Sequence, residues 1–269
     1  MLYVSDANDG QVSVFSYPQG VLMQTLTGFE EPYGLCADKA GDVWIVDDET
    51  SAITEYAHAA TSSMATLSDS GEYPAGCSVD PTTGNLAVTN YETGSRGQGG
   101  ISLYKKAKGN PTVLTDSAIS RGWFCSYDDK GNLYLDGDTA GSSGFQLAVL
   151  PHGSSSFTNI SVSEKITVPG GVQWDGRYVA VSDANGPGPG TVYQFSINGS
   201  TATEVSSSVL QDSQNIHQFW IDPKRRRIVA PSASLSTVGF WKFPAGNDPT
   251  KTISGLDIPE GVAISKAGR

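Results

Sequence analysis

Three polar side chains at equivalent positions of an internal repeat have the types needed for acid–base chemistry. Tyr33, His217 and Glu260 supply a phenol, an imidazole and a carboxyl group. An imidazole beside a carboxyl group is a common general acid–base pair. Trp123 occupies the same repeat position and offers an aromatic wall, and Arg121, two residues earlier, adds a positive charge. These five residues are the predicted ligand-binding set, and Glu260, His217 and Tyr33 are the catalytic candidates.

The repeat that aligns these residues begins with Pro-x-Gly, closes its first strand on an Asp and turns at a glycine. Its best copy runs from Pro32 to Asp47. The position of Gly34, the glycine of Pro-x-Gly, recurs about every 42 to 48 residues along the chain. Each copy continues with short segments rich in β-branched and aromatic residues, which predicts four antiparallel strands. A four-stranded unit of this length is typical of a β-propeller blade.

The two ends of the chain are predicted to complete each other. The last copy has one strand after Pro259, and the chain begins with segments that match the missing second, third and fourth strands. We therefore predict an all-β fold, a single six-bladed β-propeller over residues 1–269, closed by a blade that both ends share. The predicted blades are residues 258–269 with 1–28, 30–69, 72–116, 120–163, 167–210 and 214–255.

The predicted channel mouth is formed by the middle residue of Pro-x-Gly and by the residues at the equivalent position of the copies that lack this motif, at the start of each innermost strand. Around the ring these are Tyr33, Ala75, Trp123, Gly170, His217 and Glu260, with Trp123 opposite Glu260. The same end carries long, glycine-rich loops at 91–100, 139–144 and 184–190. Loops on a rigid scaffold often carry function. Two alternatives stay open: the loops are spacers, and the mouth residues merely plug a water-filled channel.

The recurrent aspartates and the cysteines are expected to serve structure. Asp38 and Asp47 represent two positions that recur around the ring, where Asx side chains accept backbone N–H groups at turns. Side chains alternate between the two faces of a strand. Cys36 therefore lies on the opposite blade face from Cys77 and Cys125. We expect Cys36 and Cys77 to meet between two blades, as a disulfide or a close thiol pair.

The motif with Pro-x-Gly ahead of D-x-x-G-x-L-W/Y-V-x-D resembles the NHL-repeat propellers and the related SMP-30/gluconolactonase-like six-bladed propellers. It is clearest at Asp38–Asp47, Leu2–Asp6 and Gly131–Leu135. In SMP-30-like lactonases the mouth position supplies metal ligands, a Glu and several Asn or Asp. Here only Glu260 matches, so we expect no metal site and no cofactor. A divalent cation such as calcium at the mouth is the less favoured alternative.

The net charge of −11 bears on the partners. Such a surface repels phosphate backbones and anionic lipid headgroups, so we expect no nucleic-acid partner. No apolar run approaches the ~20 residues of a membrane span, so we expect no membrane insertion. The acidic, Ser/Thr/Gly-rich composition favours a monomer that is extracellular or attached to a bacterial cell envelope. Residues 1–4 already belong to a predicted strand, so we expect no targeting segment within this chain.

Two functions fit these features. The favoured one is a non-catalytic binding module for a protein, small-molecule or carbohydrate ligand, acting through the loop-rich face and the channel mouth. The alternative is a hydrolase or lyase, lactonase-like, whose site is Tyr33, His217 and Glu260. An enzyme is expected to place His217 and Glu260 within hydrogen-bond reach in a convergent pocket with an ordered ion or ligand, whereas a binding module is expected to show an open, loop-rich face without such convergence.

Overall fold

The computed structural model describes residues 1–93, 98–141, 144–164, 166–184 and 188–267. These residues form strands and two short 3-10 turns, Lys105–Ala107 and Ala233–Leu235. The strands are β1 (Leu2–Asp6), β2 (Gln11–Phe15), β3 (Leu22–Thr27), β4 (Pro32–Ala37), β5 (Val43–Asp47), β6 (Ala52–Tyr56), β7 (Ser63–Ser68), β8 (Glu72–Val79), β9 (Leu86–Thr93), β10 (Gly100–Tyr104), β11 (Thr112–Thr115), β12 (Ile119–Tyr127), β13 (Leu133–Thr139), β14 (Phe145–Leu150), β15 (Thr158–Val162), β16 (Pro169–Trp174), β17 (Val179–Asp183), β18 (Thr191–Asn198), β19 (Thr201–Val209), β20 (Trp220–Asp222), β21 (Arg227–Ser232), β22 (Thr237–Lys242), β23 (Gly246–Ser254) and β24 (Pro259–Ile264). No helix among the described residues is both long and apolar enough to cross a bilayer.

The strands are organised in antiparallel groups of four, as the repeat predicts. The spatial orders are β4-β5-β6-β7, β11-β10-β9-β8, β20-β21-β22-β23 and β24-β1-β2-β3. The remaining strands form one sheet, β12-β13-β14-β15-β19-β18-β17-β16, in which two groups of four join through a short parallel pairing of β15 with β19. The all-β class and the four-stranded unit are confirmed, and the architecture fits a β-propeller.

The C-terminal strand lies beside the N-terminal strand. β24 pairs with β1 in antiparallel register, with Val262 opposite Val4 and Ala263 opposite Tyr3. The N-terminal amine of Met1 also donates a hydrogen bond to the Ser265 carbonyl, at 2.7 Å. One sheet therefore takes strands from both ends of the described chain.

The hydrophobic core lies between neighbouring sheets. In one cluster, Trp44 and Ile53 from the β4–β7 sheet pack against Leu86 and Tyr104 from the β8–β11 sheet, and all four are almost completely buried. Five further clusters of this kind are present among the described residues. Because each sheet presents apolar side chains to two neighbours, the sheets stack face to face around the inner strands.

The repeated glycine of Pro-x-Gly is required by the close approach of these inner strands. A Cβ at Gly34 would lie 2.4 Å from the Ala75 carbonyl oxygen, and one at Gly261 would lie 2.3 Å from the Tyr33 carbonyl oxygen. No side chain fits at such distances. The glycine therefore lets β4 lie against both β8 and β24, and it holds the preceding residue at the mouth.

The predicted pairing of Cys36 with Cys77 is confirmed. Their sulfurs form a disulfide with an S–S distance of 2.11 Å, which joins β4 to β8. Cys125 is free and buried. At the next two interfaces a hydroxyl takes this bridging role, because Ser78 Oγ accepts the Tyr127 N–H at 3.0 Å and Ser126 Oγ accepts the Trp174 N–H at 2.9 Å.

The recurrent aspartates have the structural role predicted for them. The Asp47 carboxylate accepts the backbone N–H groups of Glu30 and Glu31, at 2.9 and 3.2 Å. The Asp38 carboxylate accepts three N–H groups of its own turn, at 2.8 to 2.9 Å. These side chains fix the ends of strands and are not available for catalysis.

The innermost strand of one repeat is shorter than the sequence predicts. β20 begins at Trp220, so His217 lies in the irregular segment between β19 and β20. Of the predicted long loops, residues 94–97, 142–143 and 185–187 lie outside the described residues.

Candidate binding site at the channel mouth

Hydroxyl groups on the second strands position the backbone of the mouth. Thr89 Oγ1 accepts the Gly76 N–H at 2.8 Å and donates to the Trp123 carbonyl of the next sheet at 2.7 Å. Ser5 Oγ likewise accepts the Gly261 N–H at 2.8 Å and contacts the Tyr33 carbonyl oxygen. Each hydroxyl links two inner strands, so the residues that point into the mouth are held by neighbouring sheets.

His217, Glu260 and Tyr33 come together as predicted. His217 Nδ1 is hydrogen-bonded to Glu260 Oε2 and lies 3.2 Å from the Tyr33 hydroxyl. Glu260 is only 7% exposed, and the His217 side chain is 23% exposed. An imidazole that donates from Nδ1 to a carboxylate has Nε2 as its remaining acceptor. Among the described residues Nε2 has no hydrogen-bond partner, so it is available to a ligand.

Aromatic rings surround this triad. The ring centroids of Tyr33 and Trp123 lie 6.0 and 6.2 Å from that of His217, with interplanar angles of 25° and 28°. Phe124 stacks behind Tyr33 at 6.1 Å, and Tyr91 meets Trp123 edge to face at 4.8 Å. Trp123 thus contacts the imidazole that binds Glu260. The sequence had instead predicted that Trp123 lies opposite Glu260 in the ring of blades. We call Tyr33, Trp123, His217 and Glu260 the mouth cluster.

Arg121 lies beside the mouth cluster rather than within it. Its guanidinium carbon lies 5.1 Å from the centroid of the Tyr91 ring, and its Nη1 lies 3.8 Å from Asp138 Oδ2. Asp138 also accepts the Trp123 indole N–H, at 3.4 Å. The positive charge predicted for the mouth is therefore already paired with Asp138 at the rim.

Sequence reasoning missed two acidic side chains near Tyr33. Glu31 and Asp48 lie close enough to Tyr33, together with Glu260, to raise the pKa of its phenol, although burial is the larger cause. Burial, followed by Glu31 and Glu49, also raises the pKa of Asp48 to about 6. The signal was present in the pairs Glu30-Glu31 and Asp47-Asp48, which flank the start of β4 and the end of β5.

The described residues contain no group of three or more His, Cys, Asp or Glu side chains that could hold a metal ion. His217 and Glu260 can supply two ligands at most, which is too few for a closed zinc site. The geometry of the mouth cluster suits hydrogen bonding and aromatic contact with an organic ligand.

The opposite ends of the inner strands enclose a second feature that sequence reasoning did not find. A cavity of about 470 Å³ is lined by the Cys36–Cys77 disulfide, the rings of Tyr127, Trp174 and Trp220, and Lys266. Trp174 donates its indole N–H to Asp129 at 3.0 Å. We call this space the far cavity. It lies at the ends of the same strands whose beginnings form the mouth.

The fold is propeller-like, and acidic and aromatic side chains meet where its inner strands begin. No protein-family model matches the chain. No curated protein matches it either.

Solved structures do match the fold. A chain of a nidogen/laminin complex aligns with a TM-score of 0.76 and 12% identity, over 99% of this chain and 98% of that one. Hydrazine synthase of Kuenenia stuttgartiensis aligns with a TM-score of 0.68 and 12% identity, over 99% and 86%. A functionally unknown protein of Desulfotomaculum acetoxidans gives 0.69 and 12%, over 98% of each chain. At this identity the likeness shows the fold alone, and it supports the resemblance to propellers in general.

Proposed function

We propose that this protein is a binding module, built as a six-bladed β-propeller of the NHL or SMP-30-like kind, that holds its ligand at the mouth cluster. Six inner strands, β4, β8, β12, β16, β20 and β24, support the blade count. The sheet shared by β24 and β1 supports closure by the two ends of the chain.

The observation on which the proposed site rests is the convergence of Tyr33, Trp123, His217 and Glu260, a feature that the sequence led us to expect of an enzyme and not of a binding module. The four residues come from four different parts of the chain, and each meets another within hydrogen-bond or ring-contact distance. Buried aromatic anchors with a few polar groups are typical of binding sites. The nidogen/laminin complex, whose chain shares this fold, is an assembly of proteins. A protein ligand is therefore the favoured choice, and a carbohydrate or other small molecule is the alternative.

One observation favours the second candidate function, a hydrolase or lyase. The hydrogen bond between His217 Nδ1 and Glu260 orients the imidazole so that Nε2 can act as a base. Within the described residues no nucleophilic Ser or Cys is bonded to this imidazole, and its other neighbour is the Tyr33 hydroxyl. The catalytic function therefore requires reacting groups in addition to this imidazole, and the binding function does not.

The disulfide supports the proposed location. Disulfides persist in oxidising compartments and are rare in the cytosol, and Cys36 and Cys77 are both buried in one. We propose that the protein works outside the cytoplasm, in the extracellular space or the cell envelope, as a monomer.

The function is tested by probing a peptide array and a glycan array with three proteins: the wild type, Trp123→Ala at the mouth and Trp174→Ala at the far cavity. We expect ligands that bind the wild type and Trp174→Ala but not Trp123→Ala. Ligands lost only from Trp174→Ala would move the site to the far cavity. Turnover of chromogenic esters or lactones that depends on His217 would establish the enzyme instead.

A further inference from the structure

Among the described residues, no Lys or Arg side chain forms an ion pair with Glu31, Asp48 or Glu260. The pKa of Asp48 is raised to about 6 by burial and by Glu31, Glu49 and Asp47. Burial also raises the pKa of Glu31, and Glu49 and Glu260 add to it. Every neighbouring charge in these sets is negative, so each opposes ionisation. A positively charged ligand would reverse this repulsion.

Two carboxylate oxygens at this end of the chain have no partner within the described residues. Glu260 is 7% exposed and uses Oε2 for His217, while its Oε1 makes no hydrogen bond. Asp48 Oδ1 is buried and makes none either. A buried acceptor without a donor is unfavourable, so a ligand that brings an N–H donor to Asp48 Oδ1 removes that cost.

The rings of the mouth cluster suit a cation as well. A cation within about 6 Å of the face of a Trp or Tyr ring is attracted by the ring's quadrupole. Arg121 already shows this arrangement, because its guanidinium lies over Tyr91 and against Asp138. Tyr33, Trp123, Glu260 and Asp48 offer the same combination of rings and carboxylates, and neither carboxylate is in an ion pair with a described Lys or Arg side chain.

The distribution of charge over the molecule points the same way. The described basic residues other than Arg121 and Lys251 lie in or beside the turns at the far-cavity end, and they are Lys39, Lys105, Lys106, Lys108, Lys130, Arg177, Lys224, Arg225, Arg226, Arg227, Lys242 and Lys266. Among the described residues, the mouth end is therefore negative relative to the far end. Such a field attracts cationic partners to the mouth.

We propose that the mouth cluster recognises an alkylammonium group, such as a lysine side chain of a protein ligand. Glu260 and Asp48 accept its N–H groups, and Tyr33 and Trp123 form the aromatic wall. An ammonium has three donors on a compact head, which suits two carboxylates that come from different segments of the chain, whereas a guanidinium suits one carboxylate held in bidentate geometry. This inference rests on the proposed function, because it specifies the ligand of the same site.

The test titrates the full chain with Nα-acetyl-lysine methylamide and with its Nε-acetyl derivative, which keeps the shape but loses the charge. We expect the charged probe to bind at least 10-fold more tightly, and added salt to weaken it. Glu260→Gln and Asp48→Asn are expected to reduce its affinity at least 5-fold. Asp129→Asn at the far cavity makes the same change of net charge and is expected to have no effect.

Equal affinity for the charged and neutral probes would overturn the proposal, as would an Asp129→Asn effect as large as that of Glu260→Gln. Thermal unfolding of each variant identifies misfolding, and Asp48→Asn, at a less buried site, keeps the test decisive should Glu260→Gln fail to fold. An array ligand without a cation that is lost in Trp123→Ala would refute the ammonium proposal while supporting the binding function. Array ligands that all ignore Trp123→Ala would refute both.

Discussion

The two ends of the inner strands solve the same packing problem in different ways. At the mouth, the Pro-x-Gly glycines and the hydroxyls of Ser5 and Thr89 bring neighbouring strands close together, and large side chains converge. At the far end, the disulfide and the hydrogen bond that Ser78 accepts from the Tyr127 N–H join the strands around an open cavity of about 470 Å³. At the mouth, close contact between backbones thus accompanies the convergence of functional side chains. At the far end, a covalent bond and a hydrogen bond accompany an open space.

The difference also concerns which polar atoms are satisfied. In the far cavity, Gln218 bonds both the N–H and the carbonyl of Leu35, at 3.1 and 2.7 Å, and Gln173 does the same for Ile221. At the mouth, Asp48 Oδ1 is buried without a partner. Polar side chains in the far cavity therefore support the fold, while those of the mouth retain capacity for a ligand.

Removing the disulfide is expected to have the largest effect on the far end. The bond closes a loop with a sequence separation of 41 residues, for which chain entropy predicts a loss of about 4 kcal/mol in the free energy of unfolding. The double variant Cys36→Ser with Cys77→Ser should therefore unfold at a markedly lower temperature in calorimetry. Cys125→Ala, at the free thiol, is the control and should change stability less. An unchanged Tm in the double variant would show that the far end does not depend on this link.

Replacing a mouth hydroxyl is expected to have an intermediate effect. Thr89→Val keeps the shape of the side chain but removes the bonds to Gly76 and Trp123, and buried groups left unpaired cost about 1–3 kcal/mol. Urea unfolding should show this loss. The matched change at the far end, Ser78→Ala, leaves a single N–H unpaired and should cost less. The reverse order would contradict the idea that the mouth end is held more tightly.

Neutralising Asp48 is expected to have the smallest effect, and the effect should depend on pH. Burial raises the pKa of Asp48 from its ordinary value of 3.8 to about 6 in the folded state, so the folded state holds this proton more firmly than the unfolded state. Stability due to Asp48 is highest below pH 4, falls as pH rises to 6 and is lost above it. Asp48→Asn should therefore stabilise the protein by about 1 kcal/mol at pH 8, after allowance for solvent screening, and not at pH 4.

The control for this experiment is Asp248→Asn, an exposed site on β23. It should leave the pH dependence of the Tm unchanged. Stabilisation by Asp48→Asn that is equal at both pH values would show that crowding of negative charge at the mouth is not its cause.

Much of the fold followed from the sequence because the repeat records local geometry. Pro-x-Gly, the turn aspartates and the alternation that pairs Cys36 with Cys77 depend on backbone geometry that each copy repeats. The meeting of Tyr33, His217 and Glu260 was also predicted, since they are the irregular members of a regular position. Contacts that depend on the length and direction of a side chain were not predicted. These are the contacts of Trp123 with His217 and of Arg121 with Tyr91 and Asp138, and the proximity of Asp48 to Tyr33. The sequence did not predict the far cavity, because polar side chains that hydrogen-bond to backbone groups form no recognisable sequence motif.

The central claim is that the ligand binds where the inner strands begin and not where they end. The most direct test is to titrate isotope-labelled protein with Nα-acetyl-lysine methylamide, or with any array ligand, and to map the shifts of the backbone amide signals. The account predicts that the largest shifts occur at Tyr33, Trp123, His217, Glu260 and Asp48. Shifts confined to Tyr127, Trp174, Trp220 and Lys266 would contradict it and assign the site to the far cavity.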